Sequence, residues 1–186
     1  DNLRTYDIKL NPEKCVFGVP AGKLLGFIVS GRGIEANPAK IRALSQLDIP
    51  KDLKQIQKLT GCVAALSRFI SRLGEKALPL YRLLRRTEHF KWTDAATAGL
   101  DEIKAILATS PVLAAPNTGE PMLLYIAATH QVVSAVLVVE RETDGHKFPL
   151  QRPVYYVSTV LTPCKSRYPH YQKIACAVFM AYRQLR

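Results

Sequence analysis

The acidic side chains of this 186-residue chain are the first candidates for metal-dependent chemistry. Two magnesium ions need several oxygen ligands close together. The sequence contains no Asp-Asp pair, and Asp101 and Glu102 are neighbours on a predicted helix, so their side chains face different ways. Glu140, Glu142 and Asp144 surround a polar loop, where solvation is the ordinary role of a carboxylate. The carboxylates therefore predict no metal site.

The cysteines and histidines also predict no catalytic or zinc site. The cysteines form no Cys-x-x-Cys pair and are too sparse for a disulfide scaffold, and the histidines lack zinc-ligand spacing. Residues 31–33 form a glycine turn without the Gly-Lys-Ser/Thr of a phosphate-binding loop. The residues alone therefore predict no enzyme, cofactor or metal. Reduced thiols predict an intracellular protein, cytoplasmic or nuclear, rather than a secreted one.

The strong basic charge predicts an anionic partner. Lys and Arg number 26 against 15 Asp and Glu, which gives a net charge of +11, and nucleic acid is the simplest partner for such a chain. No apolar run approaches the ~20 residues of a membrane helix, so no membrane partner is expected. The chain ends inside an apolar helical pattern at residues 182–186, which predicts a fragment or a truncated gene product.

Turn residues and apolar periodicity predict a β-hairpin followed by helices. Residues 15–17 and 24–29 form the two predicted strands, joined by a loop at residues 18–23. Asn37 caps a short helix that begins at Pro38. Asp52 caps a helix over residues 53–72, and a second helix over residues 75–85 follows a break at Leu73-Gly74. Leu78, Tyr81, Leu83 and Leu84 are expected on the inner side of this second helix.

The second half of the chain predicts a helix, three strands and a final helix. Thr93 caps the helix that runs to Ala108, with Leu100, Ile103 and Leu107 inward. Strand-like alternation follows at residues 122–127, 132–140 and 153–158, and residues 167–185 form a helix with Ile174, Ala177, Val178 and Ala181 inward. The fold class is therefore α+β.

An ordered series of segments carries a family resemblance. It begins with LNPEKCVF (10–17), KLLGFIVS (23–30) and GIEANPAKI (33–41), and continues with LTG (59–61), LSRFI (66–70), ALPL (77–80), FKW (90–92), PVL (111–113), SAVL (134–137), PVYYVS (153–158) and RY (167–168). This series resembles gypsy-type LTR-retrotransposon reverse transcriptases, and plant-type elements most of all. It covers essentially the whole chain.

The resemblance implies a domain organisation. Residues 1–36 would be the end of the palm with its β-hairpin, residues 37–93 the thumb helices, and residues 94–186 a linker helix and an incomplete RNase H-like or connection domain, with a mixed sheet and flanking helices. The polymerase Tyr-x-Asp-Asp loop of the family would lie upstream of Asp1. The parent protein would be an RNA-directed DNA polymerase.

The resemblance also implies that the RNase H-like part is degenerate. The match at Ser134 places the family's first catalytic Asp at Ala127, and the match at Arg167 places its catalytic Glu at Ile174. Neither side chain could ligate magnesium. We therefore expect no catalytic residue, and a domain that serves as a structural connection.

The most specific binding signal lies on the thumb helix. Residues 56–61 resemble the helix that retroviral enzymes lay along the minor groove of primer–template. Gln57, Gly61 and Ala65 are spaced at i, i+4 and i+8 and form one stripe. Glutamine can hydrogen-bond to minor-groove acceptors, and glycine lets the helix backbone come close. The alternative is that Gly61 permits tight packing against the second thumb helix.

Two further sets of residues complete the expected interface. Basic residues suited to phosphate contacts, or alternatively to a solvated face, are Lys54, Lys58, Arg68, Arg72, Lys76, Arg82, Arg85 and Arg86. Leu25-Gly26-Phe27 matches the region that helps to place the primer end, although Leu25 and Phe27 could instead alternate into the core. The resulting hypothesis is a non-catalytic part of a reverse transcriptase that grips an RNA–DNA or DNA duplex together with the remainder of that enzyme. The alternative is a domesticated or truncated module that binds a partner protein.

Overall fold

The computed structural model describes residues 2–84, 90–109, 111–143 and 145–185. The first part contains α1 (Asn2–Thr5), β1 (Ala21–Leu24), β2 (Phe27–Ser30), β3 (Gly33–Ala36), α2 (Pro38–Ser45), α3 (Leu53–Ala65), α4 (Leu73–Lys76) and α5 (Leu78–Arg82). The second part contains α6 (Asp94–Ala108), β4 (Val112–Leu113), β5 (Met122–Ala128), β6 (Val132–Arg141), β7 (Leu150–Val160), α7 (Pro163–Ser166) and α8 (His170–Leu185). The mixed α+β class is as predicted.

The first sheet contains the expected hairpin at a different position. Strand β1 lies in the predicted loop at residues 18–23, and residues 15–17 are not a strand, so both assignments are wrong. The turn falls at Leu25-Gly26, where both residues have positive φ (49° and 83°). A two-residue hairpin turn of this kind needs positive φ at both positions, which glycine adopts freely and leucine rarely does. Leucine at the first turn position therefore hid the turn from sequence reading.

The sheet has the order β1-β2-β3-β4, and all its pairs are antiparallel. The Gly31-Arg32 turn leads from β2 into β3, a strand that the sequence pattern did not predict. Strand β4 arrives from the far end of α6 and pairs with β3 through Ile34 and Leu113. This long-range pairing joins the beginning of the chain to its middle.

The predicted helix caps at Asn37 and Asp52 are confirmed. Asn37 accepts a hydrogen bond from the Ala39 N–H at 2.9 Å, and Asp52 accepts one from the Gln55 N–H at 2.7 Å. Each side chain satisfies a backbone donor that has no partner within its helix. The starts of α2 and α3 are therefore fixed by local sequence.

The predicted ends of the two helices over residues 53–72 and 75–85 are wrong. Helix α3 ends at Ala65, and a 3-10 turn over Ser67–Phe69 follows it. Arg72 then adopts a left-handed conformation with φ 54°, so the break lies there, and Leu73-Gly74 begins α4 instead. The bend buries Leu66, Phe69 and Ile70 together, which outweighs the continuation of a regular helix.

The predicted helix over residues 75–85 is replaced by the short helices α4 and α5. The buried side chains of this segment are Leu73, Ala77 and Leu80, whereas the predicted inward residues are only partly buried: Leu78, Tyr81, Leu83 and Leu84. The inward face is therefore rotated from the predicted one.

One hydrophobic core runs from Ala36 to Leu113 and includes side chains of α2, α3, α4, α5 and α6. Thr93 caps α6, and Leu100, Ile103 and Leu107 are buried as predicted. A Cβ atom at Gly99 would lie 2.3 Å from the carbonyl oxygen of Lys76. Glycine at this position therefore allows α6 to pack closely on α4.

The second sheet has the order β5-β6-β7, with antiparallel pairs, and confirms the three predicted strands. Helix α8 packs on one face through Ala177 and Ala181, as predicted. The prediction for Val178 is wrong, because its side chain is 45% exposed. Lys173 is buried instead and donates a hydrogen bond to the carbonyl oxygen of His130 at 3.0 Å. The final helix begins at His170 rather than at the predicted residue 167, and Pro163–Ser166 form the separate helix α7.

Helix α4 covers the opposite face of the second sheet. The Gly74 N–H donates to the Ser158 hydroxyl at 2.8 Å, and a Cβ atom at Gly74 would lie 2.7 Å from Val132 Cγ1. The second sheet is thus enclosed between α4 and α8. Among the described residues, no helix combines the length and the apolar character that crossing a membrane requires.

Candidate nucleic-acid interface

The predicted stripe on α3 lies in one open groove. Gln57, Gly61 and Ala65 are all exposed. They line a groove between α2 and α3 together with Lys58 and Cys62 of α3 and Lys40 and Ala43 of α2. The structure therefore brings the three stripe residues together on one accessible surface, and α2 forms the second wall of the groove.

Gly61 has no packing role in the fold. A Cβ atom built at this position would meet no heavy atom within 4 Å. The alternative explanation, tight packing against the second thumb helix, is therefore wrong. The glycine instead leaves a flat stretch of helix backbone facing the groove, and a flat backbone permits the close approach of another molecule.

The predicted phosphate contacts differ in their internal partners. Lys54 and Lys58 are exposed, and within the described ranges neither has a carboxylate within ion-pair distance. Arg72 pairs with Glu75, and this hydrogen bond raises the pKa of Arg72. The ammonium of Lys76 lies 3.9 Å from the Glu102 carboxylate.

The remaining basic residues of the track have other surroundings. Arg82 donates to the side-chain oxygen of Gln131 at 2.9 Å, which ties α5 to the β5–β6 turn. Arg85 and Arg86 lie outside the described residues. Lys54 and Lys58 of α3 therefore carry charge that no carboxylate of the described residues balances, which leaves both available to an external anion.

Arg68 occupies the junction of three parts of the fold. Its Cζ atom lies 4.5 Å from the centre of the Phe27 ring in the first sheet and 5.1 Å from the centre of the Tyr155 ring in the second sheet. The Phe27 ring also packs on Phe69, with centroids 5.8 Å apart. Cation–π contacts of this kind hold a guanidinium in place.

The two apolar residues at the hairpin turn differ in their exposure to solvent. Leu25 is 88% exposed at the tip, whereas Phe27 packs against the main core. The alternative in which both alternate into the core is therefore right for Phe27 and wrong for Leu25. Gly26 faces the ammonium of Lys40, which lies 2.7 Å from the position of a Gly26 Cβ atom. Sequence reading missed Lys40, because only the packing of α2 beside the hairpin places it there.

The two positions at which the family resemblance implies catalytic carboxylates, Ala127 and Ile174, lie on opposite faces of the second sheet. Ile126 and Ala128 pack towards α8, which carries the partly buried Ile174. Ala127 therefore faces the other side, where it pairs with Ser134 and lines a cavity under Arg72. Across the parts of the chain that the structure describes, no three His, Cys, Asp or Glu side chains cluster as metal ligands would.

An ion pair anchors the loop that enters the second sheet. Arg141 donates to Glu120 at 2.8 Å and also to the carbonyl oxygen of Ala115 at 2.7 Å. The hydrogen bonds from Arg141 and from the Asn117 N–H lower the pKa of Glu120 to about 2. This contact holds residues 115–120 against β6 and does not face the groove between α2 and α3.

Comparison with known proteins identifies the second part of the chain. The family described as the RNase H-like domain found in reverse transcriptase matches residues 92–186, just over half of the chain. The Tf2-3 and Tf2-4 transposon polyproteins of Schizosaccharomyces pombe are 27% identical over 184 residues, which is 99% of this chain and 13% of each polyprotein. The chain thus spans about 13% of the length of these relatives.

Solved structures agree on the fold. The foamy viral protease-reverse transcriptase in complex with RNA/DNA hybrid superimposes with a TM-score of 0.73 at 20% identity, over 89% of this chain and 22% of that one. Its complex with dsDNA gives 0.70 at 21% identity, over 89% and 33% of the two chains. The chain therefore belongs to the family of RNase H-like domains found in reverse transcriptases.

Proposed function

We propose that this chain is a non-catalytic part of a gypsy-type retrotransposon reverse transcriptase, similar to plant-type elements, and that it grips an RNA–DNA or DNA duplex along the groove between α2 and α3. The observation that carries the proposal is the open stripe of Gln57, Gly61 and Ala65, in which a Cβ atom added at Gly61 would meet no other part of the fold. Its partners are the duplex and the remainder of the reverse transcriptase, inside the cell.

The surface between α2 and α3 suits the minor groove of a duplex. The Gln57 amide can donate to the acceptors that the minor groove presents at every base pair, so it binds with little sequence preference. The flat backbone at Gly61 allows the helix to approach the sugars. Lys54 and Lys58 lie on the same helix and would neutralise phosphates along the groove edges. The phosphate contacts would then supply most of the binding affinity, and the stripe would position the duplex along the helix.

The relatives support this proposal. The foamy viral enzymes that share the fold were solved in complex with an RNA/DNA hybrid and with dsDNA. The Tf2 relatives are transposon polyproteins. In this chain, the same fold would hold the duplex as part of a reverse transcriptase.

We further propose that the chain itself catalyses nothing. Ala127 and Ile174 stand where the family resemblance implies metal-binding carboxylates, and neither side chain can ligate magnesium. The division into palm end (1–36), thumb (37–93) and RNase H-like part (94–186) stays a prediction. The single core from Ala36 to Leu113 supports a thumb that folds together with the palm end and α6.

A second candidate function is a module that binds a partner protein. Helix α8 carries a row of exposed apolar side chains on the face away from the sheet, namely Tyr171, Val178, Phe179 and Tyr182. Exposed apolar patches of this kind mark protein interaction sites in many proteins. This surface is separate from the groove, so the two functions are distinguishable by mutation.

The test is a binding titration of a fluorescently labelled RNA–DNA hybrid at several salt concentrations. Gln57→Ala should weaken binding about fivefold, the value of one hydrogen bond of about 1 kcal/mol, without changing the salt slope. Gln172→Ala, an exposed glutamine of α8, is the matched control and should bind like the parent. An unchanged affinity for Gln57→Ala would contradict the groove interface, and no binding at low salt would favour the protein-interaction module.

A further inference from the structure

Lys40 is fixed at the edge of the groove by the hairpin. It lies in the first turn of α2, is partly buried, and lines the same groove as Gln57 and Gly61. Its ammonium lies 5.5 Å from the centre of the Phe27 ring and occupies the space that a Gly26 side chain would need. The hairpin turn therefore holds a positive charge beside the predicted minor-groove stripe.

The Phe27 ring carries a second cation. The Arg68 guanidinium lies 4.5 Å from the centre of the same ring. Within the described part of the chain, neither Lys40 nor Arg68 has a carboxylate within ion-pair distance. Among the residues that the structure describes, the cations in ion pairs are Arg32, Arg72, Lys76 and Arg141.

A single exposed lysine without an ion pair needs no explanation, because water solvates its charge. Two partly buried cations on one aromatic ring do need one, because they share less water. Like charges repel each other, and the repulsion is stronger where water is partly excluded. The ring offsets part of this repulsion, and an external anion would offset more. Because the site adjoins the stripe, the anion that fits is the phosphate backbone at the edge of a bound duplex.

We propose that Lys40 and Arg68, held on the Phe27 ring, form a phosphate-binding site that extends the groove to the hairpin turn. This inference rests on the proposed duplex binding. It gives the Leu25-Gly26-Phe27 turn a physical role: Gly26 leaves room for the ammonium and Phe27 holds it, so the turn and the thumb helix present one continuous surface.

The experiment compares Lys40→Gln with the parent chain on a labelled RNA–DNA hybrid across a salt series. Loss of one phosphate contact should reduce the slope of log affinity against log salt concentration by about 0.9. The ratio of the parent's affinity to that of Lys40→Gln should therefore fall about threefold between about 50 and 200 mM salt. Lys40→Arg should keep the parent slope. The matched control is Lys147→Gln, because the Lys147 ammonium also lies over an aromatic ring, 5.8 Å from the centre of Phe148, in the loop between β6 and β7.

The outcomes distinguish failure of this inference from failure of the proposed duplex binding. If the parent binds and Gln57→Ala weakens binding, but Lys40→Gln keeps the parent affinity and slope, the phosphate site is wrong and the groove stands. An equal loss in Lys147→Gln and Lys40→Gln would also overturn the site, because the effect would be one of net charge. If the parent fails to bind at low salt, both proposals are wrong. Thermal unfolding of each variant checks that the fold is retained.

Discussion

Replacing Gly61 should change folding and duplex binding in opposite directions. Gly61 lies inside α3, and an added Cβ atom would meet nothing within 4 Å. Glycine in the interior of a helix costs about 0.8–1.0 kcal/mol relative to alanine. With no clash to offset this gain, Gly61→Ala should raise the free energy of unfolding by about that amount.

Duplex binding should respond in the other direction, because the added atoms occupy the surface that approaches the nucleic acid. Extra methylene groups in a well-packed contact cost about 1–3 kcal/mol. At about 1.4 kcal/mol for each factor of ten, Gly61→Leu should weaken binding between about fivefold and about a hundredfold. Gly61→Ala should fall between the parent and Gly61→Leu.

Urea unfolding and fluorescence anisotropy with a labelled RNA–DNA hybrid measure the two effects on the same preparations. Ala64→Leu is the matched control, because Ala64 is exposed on α3 but does not line the groove. This control should bind like the parent. A Gly61→Leu variant that is folded and binds with the parent affinity would refute the close approach of α3 to the duplex. A Gly61→Ala variant that is less stable than the parent would refute the open position of Gly61.

Three other predictions concern the second sheet and its chemistry. Gly74→Ala should lower the free energy of unfolding in urea by about 1–3 kcal/mol, because its Cβ atom would lie 2.7 Å from Val132 Cγ1; parent-like stability would contradict this contact. The hydrogen bonds from Arg141 and from the Asn117 N–H lower the folded-state pKa of Glu120 from 4.5 to about 2, so the stability from these contacts is present above pH 4.5 and is lost as the pH falls towards 2. In thermal melts at several pH values, Glu120→Gln should therefore be less stable than the parent near neutral pH and differ little from it near pH 2. A difference in stability that does not change with pH would count against the ion pair. The pure chain should leave an RNA–DNA hybrid intact with magnesium in a gel assay, and cleavage that copurifies with the chain would contradict the non-catalytic proposal.

Features that depend on neighbouring residues could be predicted from the sequence. The caps at Asn37, Asp52 and Thr93 are confirmed because each side chain bonds a backbone N–H only two or three residues away. The strands of the second sheet are confirmed because their apolar alternation is long and regular. The groove stripe could also be predicted as a common surface, since helical spacing alone places Gln57 and Gly61 together.

Features that depend on distant contacts could not be predicted. The turn at Leu25 requires a left-handed leucine, which local preference disfavours and the pairing of β1 with β2 supports. Helix α3 ends early because burial of Phe69 and Ile70 outweighs helical continuity. Lys40 enters the candidate site only because α2 packs beside α3 and the hairpin, which are separate elements. Sequence spacing carries no signal for such a contact.

Photo-crosslinking from inside the groove tests duplex binding most directly. A photoreactive phenylalanine analogue at Ala65 lies on the predicted stripe, and the same group at Ala175, exposed on α8, provides the comparison. After irradiation with a labelled RNA–DNA hybrid, we expect a covalent protein–nucleic acid product from position 65 and little from position 175. Crosslinks from position 175 alone, or equal yields from both positions, would contradict a duplex held in the groove between α2 and α3.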